Sequence, residues 1–120
     1  MTSNNTLKDV YLNRVSAFLP NAPVGNDEIE AVLGMAGDVP SRVRRMILRS
    51  NGILSRHYAI DPESRRTTHT NAELAAEAVN GLFAQGVPAE AVGSLACATS
   101  YPDQTMPGHG VMVHGLLDMP

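Results

Sequence analysis

The side chains best able to do chemistry in this chain are one thiol, four imidazoles and a run of guanidiniums. Cys97, the sole cysteine, sits in the apolar run LACAT with no charged neighbour in sequence to lower its pKa, so it reads as a buried structural thiol rather than a nucleophile. One cysteine also excludes an intrachain disulfide and any zinc site built on paired cysteines. His57, His69, His109 and His114 are scattered; the closest pair is five apart, which on a helix separates them by about 140°. No metal site is therefore expected. His109, near a predicted helix start, is a minor general-base candidate set against the commoner exposed or hydrogen-bonded histidine.

The guanidiniums are concentrated. Seven of the nine basic residues (Arg42, Arg44, Arg45, Arg49, Arg56, Arg65 and Arg66) fall between positions 42 and 66, opposed only by Asp61 and Glu63, which leaves +5 in that segment and -8 elsewhere. Guanidinium forks match phosphate oxygens, so the cluster suits a nucleic acid or a phosphorylated cofactor arm. The bland alternative is a solvated helix face with local ion pairs. Nucleic acid is disfavoured, because Tyr58 is the only aromatic near the arginines and the whole chain carries -3. No phosphate-loop lysine motif, dinucleotide glycine fingerprint or His-Glu-x-x-His helix is present.

These residues need elements to position them. The segment 9–19, DVYLNRVSAFL, reads as a strand closed by Pro20, and DEIEAVLG as a short helix with Asn26 as its N-cap and Gly34 as its stop. Residues 41–50 form a helix with Val43, Met46 and Ile47 on one stripe and Arg42, Arg45 and Arg49 on the neighbouring one. Asn51-Gly52 marks a turn, and residues 53–60 a short extended piece. Thr70 and Glu73 make a capping box for a helix that ends at Gly86. The run VGSLACATS, 92–100, is expected as a strand covered on both faces. Pro107 suits the first turn of a last helix through Val111, Met112, Leu116 and Leu117, with Gly108 and Gly110 permitting close backbone approach. This order of elements implies an α/β layer.

The chain's 120 residues make one domain at most, 43% of them hydrophobic and 4% aromatic. No apolar run reaches the ~18 residues that span a bilayer, and the stretch from Met1 to Asp9 is polar rather than a leader, so a cytoplasmic protein with no membrane association is expected.

Taken together, FLPNAPVGNDEIEAVLG, RSNGILSRHYA, NAELAAEAVNGLFAQG, SLACATSYPDQTMPGHG and HGLLDMP, in that order, resemble the N-terminal part of the ketoacyl-acyl-carrier-protein synthase III family. The resemblance runs from Val10 to Pro120; NGILSR matches the family's Thr/Ser-Gly-Ile turn with its following Arg, and ATSYPD its Ala-Thr strand end with a later Asp. The THTNAEL run, with PSRVRRMILRSNGI and TMPGHGVMVHGLL, is similar to the ketosynthases of dialkylresorcinol, flexirubin and aryl-polyene pathways.

The resemblance implies a thiolase-like fold of layered α-β-α type, incomplete here, with residues 1–120 as its N-terminal part. It implies an acyltransferase that joins acyl thioesters by Claisen-type condensation in fatty acid or polyketide-like biosynthesis. The expected assembly is a cytoplasmic homodimer with no tightly bound cofactor, and the substrate carrier is coenzyme A or the phosphopantetheine of an acyl carrier protein. The family's cysteine falls beyond Pro120, and its histidine and asparagine in the C-terminal half, so no catalytic residue is expected in this chain and Cys97 is not the nucleophile. Met106 matches the side chain that reaches across the dimer into the partner's acyl pocket; a flexible thioether suits an adjustable apolar wall, and a core or interface methionine is the alternative. Arg42, Arg45, Met46 and Arg49 match the entrance for the donor arm. There the sequence departs from the family: Met46 stands at the tryptophan position and Ser50 at the arginine position, which favours a carrier protein over adenine recognition.

Two readings from other classes stand beside this one. One makes the chain a noncatalytic partner or structural half that supplies interface and pocket wall; the other makes it a self-standing phosphate-binding module resting on the arginines alone.

Overall fold

The computed structural model describes residues 9–120. The polar stretch Met1 to Asp9 therefore lies outside the described residues except for Asp9. Six elements follow in chain order: β1 (Val24–Gly25), α1 (Ile29–Leu33), α2 (Arg44–Asn51), β2 (Ser55–Arg56), α3 (Asn71–Ala84) and α4 (His109–Gly115), with short 3-10 turns at Ala36–Asp38 and Ala89–Ala91. The architecture is mixed helix with a small sheet. β1 and β2 pair antiparallel, Val24 opposite Arg56 and Gly25 opposite Ser55, and an isolated bridge joins Ile60 to Thr67.

The expected strands at 9–19 and 92–100 are absent: both stretches run without ladder partners among the described residues. In the first, Val10, Tyr11, Leu12 and Val15 are exposed. In the second, Leu95 and Cys97 pack on the core while their neighbours face outward, so the run is covered on one side only. Apolar patterning suits a strand, but a strand exists only where another backbone meets its N–H and C=O groups.

Other boundaries shift for identifiable reasons. Asn26 does not cap α1, whose cap position is Glu28. Its side chain makes tertiary bonds instead, donating to the Ile53 carbonyl at 2.7 Å and accepting from Arg56 at 3.0 Å. Pro107 precedes α4 rather than opening it, following a cis peptide bond from Met106, and Gly108 takes the cap position. Gly108 and Gly110 have no need to be glycine for close approach. A Cβ at Gly108 would meet nothing, and one at Gly110 would sit 3.8 Å from the Cys97 Cβ, an ordinary contact. The closest approach is at Gly81, in the middle of α3, where an added Cβ would displace the Ser16 hydroxyl. The extended segment crosses α3 at that point, assisted by Gln85 donating to the Val15 carbonyl and by the Phe18 ring set edge-on to His69 at 5.3 Å.

The best-packed region is the α3–α4 pair. Ala72, Ala76, Val113 and Leu117 form one buried cluster, with Val79, Phe83, Leu95, Cys97 and Met112 packed around it. Small alanines on α3 let the α4 side chains seat closely. The rest is open. The radius of gyration is 19.7 Å, against about 14 Å for a compact chain of this length. The accessible surface is 9627 Å², against about 6,300 Å² for a compact protein of this mass.

Candidate functional site

The arginine helix supplies the first candidate surface. α2 begins at Arg44, one residue after Val43, and ends at Gly52, which takes the left-handed conformation (φ 68°) that closes the helix while the Asn51 side chain accepts the Ile53 N–H. The helix expected over 41–50 starts only at Arg44, so Arg42 stands in the bend before it; at 100° per residue Arg45 and Arg49 lie within one arc of α2, with Met46 between that arc and Ile47. The structure brings Arg42, Arg45, Met46, Arg49 and Ser50 together around one open concavity of about 480 Å³. All five are exposed.

The apolar stripe is not the face on which α2 rests. Val43, Met46 and Ile47 are exposed at 53%, 68% and 53%, whereas Arg44 and Leu48 are half-buried. Arg44 reaches Glu30 of α1 at 2.5 Å, a pair largely shielded from water. Six of the seven clustered arginines are thereby sorted by role. Arg44 is tied to Glu30, Arg56 donates to Asn26, and Arg65 donates at 2.6 Å to the Val32 carbonyl near the end of α1. Those three hold the fold, and Arg42, Arg45 and Arg49 present charge to solvent. Three guanidiniums on one face can hold a phosphorylated group by charge-assisted hydrogen bonds.

Met106 provides the second surface. Its side chain is 82% exposed, and Tyr101 in the same loop is 79% exposed. A core methionine is thus ruled out within this chain. The loop is nevertheless tied down: both oxygens of Asp103 accept backbone N–H groups at the start of α3, and the Gln104 side chain donates to the Met106 carbonyl at 2.9 Å.

The remaining candidates serve structure. Cys97, expected to be buried, is half-buried and packs against the α3–α4 cluster. The His57 Nδ1 faces the carbonyls of Pro20 and Asn21 at 3.2 and 3.1 Å, His69 contacts the Thr68 hydroxyl, and the His114 Nε2 faces the Pro120 carbonyl. The His109 Nδ1 is buried without a hydrogen-bond partner among the described residues. No cluster of three or more metal-ligating side chains occurs among the described residues. No helix among them is long and apolar enough to cross a membrane.

Two carboxylates have depressed pKa values. The Thr70 backbone N–H and then its hydroxyl hold Glu73 below its usual value, and the Ser64 hydroxyl and backbone N–H do the same for Asp61. Both belong to turns and caps rather than to a reactive pair. Sequence reasoning missed Asp103 because the local Thr70–Glu73 box already accounted for the start of α3. The isolated glycine inside the helical pattern, Gly81, was a signal for the crossing of the N-terminal segment.

A concavity walled by arginines on an exposed helix, and a methionine held outward on a tethered loop, are the geometry against which relatives can be weighed. The chain is similar to a beta-ketoacyl-(acyl-carrier-protein) synthase III. That protein, from Rhodospirillum centenum, is 34% identical over 111 residues, which cover 92% of this chain and 30% of the relative. The chain thus spans about a third of the length of the curated relative it matches. No family model matches the chain. The similarity embraces both candidate surfaces, since all but a few residues of the chain take part in it.

Proposed function

We propose that this chain is the N-terminal portion of a thiolase-like, layered α-β-α domain in a synthase III-like condensing enzyme. The observation that carries the proposal is the similarity along 92% of the chain to a beta-ketoacyl-(acyl-carrier-protein) synthase III. The open surface of the described residues, 9627 Å², supports it, because a stretch of a layered domain keeps apolar faces for its neighbours.

The reaction of such an enzyme is Claisen-type carbon–carbon bond formation between acyl thioesters. In the proposed division of labour, Arg42, Arg45 and Arg49 receive the phosphorylated arm that carries the donor, and Met46 offers an apolar border beside it. Met46 has no ring to stack on adenine, so the donor carrier is an acyl carrier protein in preference to coenzyme A. Its acidic surface would meet the three arginines, which have no carboxylate partner among the described residues. Met106 forms an adjustable wall of the acyl pocket of a second copy in a homodimer. The protein is cytoplasmic, holds no tight cofactor, and belongs with the ketosynthases of dialkylresorcinol, flexirubin and aryl-polyene pathways.

Two measurements test the reading. Condensation of acyl thioesters by the full-length protein, followed by mass spectrometry of the product, is expected; a full-length protein that binds a second polypeptide and condenses nothing would favour the noncatalytic partner. Replacing Met106 with Ala or Trp should shift acyl chain-length preference, and an unchanged substrate profile would remove Met106 from the acyl pocket.

A further inference from the structure

An α-helix leaves its first backbone N–H groups without intrahelical acceptors. At α3 each of these donors is met. The Asn71 N–H donates to the Asp103 Oδ1 at 2.8 Å, the Ala72 N–H to the Asp103 Oδ2 at 2.8 Å, and the Glu73 N–H to the Thr70 hydroxyl at 3.2 Å. Leu74 then makes the first turn bond to the Thr70 carbonyl. The Asn71 side chain adds a bond to the Tyr101 carbonyl at 2.6 Å. One local residue therefore caps a single donor, and one remote carboxylate, 31 and 32 residues away, caps the other two.

This two-pronged contact is the rigid link between the Met106 loop and the core. Ala72, whose N–H forms one prong, is 1% exposed and belongs to the cluster with Val113 and Leu117. From Asp103 the loop runs through Gln104, whose side chain holds the Met106 carbonyl, to an exposed Met106. Both prongs are charge-assisted and placed at the positive end of a 14-residue helix, where a carboxylate is favoured.

We infer that Asp103 is a positioning residue: by clamping the first two N–H groups of α3 it fixes where Met106 stands relative to the α3–α4 core, and so sets the acyl chain-length preference that Met106 exerts. The inference rests on the proposed role of Met106 as an acyl-pocket wall. It adds a residue that touches no substrate and governs selectivity through the placement of another. A bidentate carboxylate fits the task, since its two bonds, with the Asn71 side chain on the Tyr101 carbonyl, hold the loop at three points.

The experiment uses five variants of the full-length protein: Asp103→Ala, Asp103→Asn, Met106→Ala, Thr70→Ala and the Asp103→Ala/Met106→Ala double variant. Each competes acetyl-, hexanoyl- and decanoyl-thioesters on one carrier, and each is followed by hydrogen exchange. Thr70→Ala weakens the same helix end without touching the loop, so it separates positioning from stability. Asp103→Ala is expected to shift chain-length preference in the direction of Met106→Ala and to speed exchange of the Asn71 and Ala72 amides roughly tenfold, the loss of about one charge-assisted hydrogen bond. Exchange in residues 104–106 should rise with it. Asp103→Asn, which keeps one acceptor, should fall between, and Thr70→Ala should leave the preference unchanged. In the Met106→Ala background, Asp103→Ala should add no further shift. A preference altered by Met106→Ala but not by Asp103→Ala overturns the inference and leaves the acyl-wall reading intact. A preference unmoved by Met106→Ala overturns that reading and the selectivity role of Asp103 with it, and the exchange of residues 104–106 then decides whether the clamp orders the loop. An equal shift from Thr70→Ala reduces Asp103 to a stabilising cap.

Discussion

The α3–α4 pair and the arginine helix α2 are both amphipathic segments of ordinary length, yet they solve opposite problems. Along α3 and α4 the apolar side chains find one another: Ala72, Ala76, Val113 and Leu117 are buried in a single cluster. On α2 no residue is buried, and Val43, Met46 and Ile47 remain exposed beside Arg42, Arg45 and Arg49. The helix is held by one half-buried edge, Arg44 to Glu30, with Leu48 beside it. A helix anchored by a charge at its edge keeps two faces free, one cationic and one apolar, and that is the form a recognition surface takes.

The sharpest break of this contrast is a charge placed in each region. Val113→Asp buries a carboxylate in a site with 0% exposure and should cost several kcal/mol, enough to abolish cooperative unfolding in a urea titration. Ile47→Asp on α2 should change stability by less than about 0.5 kcal/mol; a large loss would mean that the α2 stripe is covered in the working protein.

Next comes the crossing at Gly81. Gly81→Ala should destabilise by roughly 1 kcal/mol, because overpacking against Ser16 outweighs the gain in helix propensity. Ser16→Gly should restore the loss, and thermal unfolding of the double variant checks it.

The arginines give a smaller, two-sided effect. Arg44→Ala should lower stability by about 1 kcal/mol, through loss of a partly shielded ion pair, and leave carrier-protein transfer unaffected. Reversing charge at Arg45 and Arg49 should leave stability within about 0.5 kcal/mol and weaken transfer kinetics. Unchanged kinetics at moderate salt would take the carrier away from this face.

The smallest effect is electrostatic and local. Glu73 has its folded pKa depressed, so the stability that it contributes is present at neutral pH and fades as the pH falls through its lowered folded value. Thr70→Ala should raise the Glu73 pKa toward its usual value, as read by a carboxyl chemical-shift titration. Asp61 should show the same sign, with Ser64→Ala as its control.

Local chemistry was legible in the sequence and partnership was not. The Thr70–Glu73 capping box and the turn at Asn51-Gly52 stand as the residues imply, because each depends on neighbours within a few positions. The grouping of Arg42, Arg45 and Arg49 was legible from helical spacing, whereas Met46 joined them only through the family resemblance; all four line one concavity. The expected strands at 9–19 and 92–100 failed because a ladder is a property of two backbones, and the pattern of one cannot supply the other. The type and position of Asn26 suit a cap, but its amide bonds Ile53 and Arg56, 27 and 30 residues away. The clamp from Asp103 was hidden for the same reason.

That clamp also bears on the order in which the molecule takes shape during synthesis. The Thr70 cap is complete as soon as Glu73 is available, and a helix of this size forms in about a microsecond. Asp103 follows some thirty residues later, roughly 2–6 s at ordinary elongation rates. Until Asp103 arrives, the start of α3 has a single local cap and two bare N–H groups, a receptor waiting for a loop that has not yet been made.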